Sequence, residues 1–264
     1  MAVHEEDMRW LALTPIFVSL GSTTAVAQST VTYDRVLLPL ATGEVPGAFG
    51  SRWWAEAVVH NADTVARDFD ADQYCISECP PRAIPPGQTG HVLFRGEPAD
   101  NPGQIVFVEQ PSNLVAFESR VQDLSRQAQT WGTEIPVVRE NQFATRPVEL
   151  LNVPVDQRFR LMLRIYDIDG RNNGAVRVSV YPFPGRGASI GDIDLQLQPP
   201  TGRHPKYKPA YAQFSNVRNL IPSGFNAGSV IGVRVTPLTP DLRIWAFVSV
   251  TNNETQHVTT ITPQ

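Results

Sequence analysis

Long apolar runs, cysteine and net charge are all scarce in this chain, and each scarcity removes a class of function. No stretch approaches the roughly 18 to 20 consecutive apolar residues that a membrane-spanning helix needs. The 264 residues carry a formal charge of only -4, too little for bulk electrostatics to draw nucleic acid or an anionic membrane. The histidines beyond the N-terminal region, His60, His91, His204 and His257, form no ligand-spaced pair. Local catalytic signatures are missing too: no G-x-S-x-G elbow, no H-E-x-x-H, no phosphate-cradling glycine loop and no dinucleotide fingerprint. These absences point to a non-catalytic protein with no cofactor, no nucleic-acid partner and no integral membrane segment. A hydrolase is a remote alternative, because lone serines, histidines and acids that meet only on folding leave no linear motif.

Proline and glycine are what the chain does have, 23 and 18 of them, set at the intervals expected of strand turns. Between them run short, roughly alternating segments rich in β-branched and aromatic residues, such as "YDRVLLPLA", "WWAEAVVHN", "GQIVFVEQ", "FRLMLRIYDID", "AVRVSVYPF" and "LRIWAFVSVTN". Nothing after residue 30 has a helical period. The fold expected is an all-β sandwich. A repeat suggests two of them: "RVLLPL" followed by "SRWWAEAVVHNADTVARDFDADQY" parallels "VELLNVP" followed by "QRFRLMLRIYDIDGRNNGAVRVSVYP". The first sandwich is placed at 31–141 and the second at 148–262, with "NQFATRP" as the linker.

Residues 1–27 resemble an export signal. A lone Arg9 precedes the apolar stretch Trp10 to Leu20, and Ala25-Val26-Ala27 supplies the small-residue cleavage site. The acidic "HEED" ahead of Met8 is foreign to a signal, which leaves Met1 and Met8 as rival starts. Export makes a disulfide between Cys75 and Cys79 the expected state. A zinc site is the rival reading and would need two further ligands.

The runs "LLPLATGEVPGAFGSRWWAEAVVHN", "SRVQDLSRQAQTWGTEIPVV" and "IWAFVSVTNNETQHVTTITPQ" resemble a group of uncharacterised exported bacterial proteins, marked by a G-x-FGS-x-W opening strand and a WA-x-VS-x-x-N closing strand. The individual strands resemble immunoglobulin-like modules of bacterial surface proteins. The resemblance implies paired immunoglobulin-like antiparallel β-sandwiches in the periplasm, on the cell surface or in the medium, and it carries no catalytic residue. The second tryptophan, Trp54, and the cysteine loop depart from the group's pattern.

Three places hold candidate binding residues. Alternation puts Trp53, Ala55, Ala57 and Val59 on one strand face and Trp54, Glu56, Val58 and His60 on the other. Trp53 is therefore expected in the core, and Trp54 is the candidate ligand contact or a cover for the sandwich end. "YDIDGRNNG" gathers Asp167, Asp169, Asn172 and Asn173. These are weak calcium ligands without EF-hand spacing, so a hairpin turn is the preferred reading. Asp68, Asp70 and Asp72 alternate as on a solvated edge. "GRHPKYKPAYAQF" offers Arg203, Tyr207 and Tyr211 on what reads as a long surface loop. The functional expectation is a structural or interaction module facing a protein or glycan of the cell envelope. Its alternative is a carbohydrate-binding module using exposed aromatics. Intact mass spectrometry of the protein made in its host checks the first part: residues 1–27 should be missing and the Cys75–Cys79 bridge formed, and two free thiols or a retained leader would sink it.

Overall fold

The computed structural model describes residues 31–41, 43–71, 83–92, 103–126, 131–184, 187–201, 204–224 and 230–264. The leader, Cys75, Cys79 and Arg203 lie outside the described residues. No described helix is long and apolar enough to cross a membrane, and the described secondary structure is strand with a few single-turn 3-10 helices.

Alternating apolar residues form strands because a pleated chain sends neighbours to opposite faces. The first half of the chain supplies β1 (Tyr33–Pro39), β2 (Val45–Pro46), β3 (Arg52–Asn61), β4 (Phe69–Asp70), β5 (Thr89–Val92), β6 (Gly103–Glu109), β7 (Val115–Asp123), β8 (Thr133–Ile135) and β9 (Val138–Arg139). The second supplies β10 (Val148–Pro154), β11 (Phe159–Asp167), β12 (Ala175–Pro182), β13 (Gly191–Gln196), β14 (Ala210–Ser215), β15 (Val230–Pro237), β16 (Ile244–Asn252) and β17 (Val258–Ile261). They pair antiparallel into four sheets. Sheet I runs β2-β3-β7-β8 with β5 also on β3, sheet II β4-β6-β1-β9, sheet III β14-β11-β16-β17 and sheet IV β10-β15-β12-β13.

The repeat seen in the sequence is a repeat of topology. The order β4-β6-β1 of sheet II recurs as β12-β15-β10 in sheet IV, and β5-β3-β7-β8 of sheet I recurs as β14-β11-β16-β17 in sheet III. Within each half, two sheets face each other across an apolar core. Val36, Leu38, Val106 and Val108 of sheet II meet Ala57, Val59, Val92 and Val115 of sheet I. Leu150, Val178 and Val233 of sheet IV meet Leu163, Ile165, Ala246 and Val248 of sheet III.

One strand of each inner sheet is buried on both faces. Every position from Ile244 to Val250 in β16 is buried, as is Val36 to Pro39 in β1. A strand with two buried faces needs cover on both, and the halves cover each other. Leu37, Ile105, Val138 and Phe143 pack on Tyr166, Ile168, Trp245 and Phe247, so sheet II lies on sheet III and the sheets stack in the order I, II, III, IV. Tyr166 and Phe247 stack with centroids 6.3 Å apart and planes 4° apart, and Trp245 adjoins Phe247 at 5.4 Å. The stretch read as a linker is part of this packing: Phe143 is buried, and Ala144 exchanges backbone hydrogen bonds with Ile244.

Two expectations are corrected. "YDIDGRNNG" is not a hairpin, because β11 belongs to sheet III and β12 to sheet IV; its left-handed Gly170 and Asn173 turn the chain from one sheet to the other. "GRHPKYKPAYAQF" is not wholly a surface loop, since its end enters β14 and Tyr207 is buried. Phe247→Ala should empty a fully buried ring between the halves and cost about 3–5 kcal/mol. Urea unfolding should show that loss as a lower midpoint in a single transition shared by both halves.

Candidate functional site

At the end of β1 sheet II stops. Leu40 takes a left-handed backbone (φ 57°), and beyond it the inner face of sheet I looks directly across at the outer face of sheet III. The gap is a cleft of about 620 Å³. Its sheet I wall is the opening motif "GAFGSRWW". Phe49 and Gly50 are left-handed (φ 56° and 74°), which folds the motif back, and the Ser51 hydroxyl donates to the Ala48 carbonyl at 2.8 Å. Gly47 then lies flat against the Trp53 indole: a Cβ there would stand 2.3 Å from Trp53 Nε1. The glycine and the tryptophan of the motif are thus one packing unit, with Val45, Pro46 and Leu40 extending the apolar wall.

The opposite wall comes from alternate residues of β11. Leu161, Leu163 and Ile165 point into the second core, which leaves Arg160, Met162 and Arg164 on the other face, where Met162 and both arginines line the cleft with Ser249 and Thr251 of β16. Arg160 donates from Nη2 to Gln256 Oε1 at 2.6 Å and lies 5.2 Å over the ring of the exposed Phe49. Arg164 donates from Nε to Gln213 Oε1 at 3.2 Å. Burial pulls both guanidinium groups down from the usual arginine value, and for Arg160 the nearby Arg126 adds to the effect. Arg218, also on the cleft, bonds Asn216 Oδ1 and the Val155 carbonyl. Among the described residues, the lining includes no Asp, Glu, His or Cys.

A larger hollow of about 820 Å³ lies elsewhere, over Asp34, Arg35, Glu140 and Arg243. Arg35, Glu140 and Arg243 are matched to one another and to Asp169, while Asp34 accepts from Gln110 and Ser112 and Arg139 donates to Ser112 and the Val115 carbonyl. Arg35 holds Glu140 through two bonds of 2.9 and 2.5 Å and Asp169 at 2.8 Å, while Arg243 reaches Asp169 at 2.7 Å and Glu140 at 2.9 Å. This ring of alternating charge spans the two halves and clasps the apolar seam. The Arg35 hydrogen bonds hold the Glu140 carboxyl down at about 2, and those of Arg243 do the same for Asp169, also at about 2, although burial opposes both. With these four charges spent on each other and Asp34 and Arg139 engaged by neutral neighbours, this hollow offers a ligand less than the cleft does.

The predicted site residues scatter. Trp54 lines the cleft, but so does Trp53, which is half-buried rather than a core residue. Its face of β3 is the inward one, as Ala55, Ala57 and Val59 confirm by their burial, yet at the strand's end no residue of sheet II covers it. Tyr207 donates to Asp70 Oδ1 at 2.7 Å, where Lys206 also pairs at 3.1 Å, and Tyr211 packs on the aromatic seam, so both serve contact between the halves. Asp70 is accordingly no plain solvated edge. Of the calcium candidates, Asp167 is fully buried and accepts from the Asp169 and Arg171 amides, Asp169 is held by two arginines, and Asn172 is exposed. Among the described residues no group of three or more His, Cys, Asp or Glu is arranged to hold a metal. Arg160 and Arg164 were missed, although their spacing of four on an alternating strand was the available signal.

In comparisons with family models, curated proteins and solved structures the chain matches none.

The charged ring generates a pH dependence. Folded carboxyls below their unfolded values stabilise the protein fully above about pH 4.5, and that contribution is lost as pH falls toward about 2. Allowing for partial exposure, it amounts to on the order of 1–2 kcal/mol. Glu140→Gln should lower the urea midpoint at neutral pH and flatten its fall toward about pH 2. An unchanged acid slope would mean the ring contributes nothing.

Proposed function

We propose that the protein is an exported, non-catalytic binding module of two tandem β-sandwiches, working outside the cytoplasm and capturing its ligand or partner in the cleft between the halves. The observation that carries this reading is the convergence on one cavity of Trp53 from one half with Arg160 and Arg164 from the other, Trp54 bordering the same cavity from the opposite face of its strand. Apolar concave surfaces with a few placed polar groups are the usual form of a ligand site. The lining offers rings, guanidinium groups, hydroxyls and amides, which suits binding better than bond-breaking. Export rests on the leader-like residues 1–27, and the Cys75–Cys79 bridge is proposed with it.

The sandwiches are immunoglobulin-like only in broad plan. In the immunoglobulin order the first two strands are neighbours in one sheet, whereas β1 and β3, like β10 and β11, stand in different sheets. The carbohydrate-binding reading keeps the tryptophans but loses Tyr207 and Tyr211, which are engaged between the halves.

The test is retention of envelope components from the host on immobilised protein. Trp53→Ala and Trp54→Ala should each weaken retention by about tenfold, equivalent to about 1.4 kcal/mol, while circular dichroism confirms the folded state. Retention unchanged in both variants would remove the cleft as the site.

A further inference from the structure

We propose that the cleft takes an organic anion: a carboxylate or sulfonate headgroup seated on the β11 arginines, with an apolar body lying along Trp53. This deepens the binding reading and rests on it. Charge complementarity is the first support. Arg160, Arg164 and Arg218 line the cleft, and among the described residues no acidic residue lines it and none of the three has a carboxylate within ion-pair distance; their side-chain partners are amide oxygens. Elsewhere arginine is routinely matched to a carboxylate, as Arg67 is to Asp63, Arg177 to Asp194 and Arg234 to Glu149.

The second support is Arg160 itself. Its Nη1 is buried and has no hydrogen-bond partner among the described residues. A guanidinium group removed from water without a counter-charge is costly, and a planar anionic headgroup supplies what is missing, both the charge and a bidentate acceptor. Phe49 lies over one face of the guanidinium group, so an acceptor for Nη1 has to come in the plane of the group, displacing what now closes that atom off from water. The third support is the opposite wall. Leu40, Val45, Pro46, Trp53 and Val121 give a headgroup's carrier an apolar surface, which a fully hydroxylated or polyanionic ligand would not use. The volume of about 620 Å³ falls in the range of small-molecule sites.

The experiment titrates the intact folded protein with 8-anilinonaphthalene-1-sulfonate and, separately, with its uncharged counterpart N-phenyl-1-naphthylamine. The sulfonate should bind at least about tenfold more tightly, and the difference should shrink with added salt. Arg160→Met, which keeps an apolar stem and removes the charge, should abolish the preference, and Arg160→Lys should retain part of it. If Arg160→Met does not fold, Arg164→Gln takes its place. Octanoate should displace the sulfonate, whereas trigalacturonate should not. Equal affinity for the two probes, a preference that survives both arginine variants, or displacement by trigalacturonate alone would overturn the proposal. The first outcome would leave the cleft standing as an uncharged binding site, so this failure is separable from failure of the binding reading.

Discussion

The seam between sheets II and III is the interaction on which the rest depends. Leu37 and Ile105 on one side, and Tyr166, Trp245 and Phe247 on the other, bury apolar surface that neither half could hide alone. Tyr166 is fully buried, and burial pushes its phenol up to about 12. That is a large polar group to enclose, and a hydrogen bond with the Leu40 backbone holds it in place. The same seam decides which charges meet: Arg35 from the first half reaches Asp169 from the second only because β1 lies against β11 and β16. Hydrophobic contact fixes the distance, and the charged ring fixes the register.

The cleft follows from that register. Sheets I and III are not neighbours in the stack, yet they face each other wherever sheet II is too short to separate them. Leu40 marks the spot and belongs to both regions, packing on the aromatic seam and on the small cluster of Ala55, Val121 and Ile135 beside Trp53. A cavity formed this way has walls from different halves, so its two chemistries, indole on one side and guanidinium on the other, come from segments more than a hundred positions apart in sequence.

This separation explains what was legible in the sequence and what was not. Period-two alternation reports local burial, and it located β1, β3, β11 and β16 and the inward face of Trp53. The doubled Leu-Leu opening reported a repeat whose strand order recurs in the fold. Alternation says nothing about which sheet a strand joins, so the Asp167 to Gly174 corner resembled a hairpin. Nor can it say what lies opposite a face: alternation puts Trp53 in a core because the shortness of sheet II has no local signal, and it gives no sign that Arg160 and Arg164 look onto a cavity. One clue was present and unread. "IWAFVSV" is apolar on both faces, which only a strand sandwiched between two layers requires.

The Leu40 corner carries a consequence for how such a chain can change over time. Repeated β units are commonly shuffled, with one copy lost, duplicated or grafted elsewhere like a bead on a string. Here the strand order repeats but the exposed faces do not: one copy presents the apolar face of Leu37 and Ile105, the other its aromatic counterpart. Separated, each copy would expose its own face of the seam to water, and neither holds the cleft alone. A substitution on one face of the seam therefore calls for a matching change on the other, a constraint that does not fall on residues touching the cleft alone.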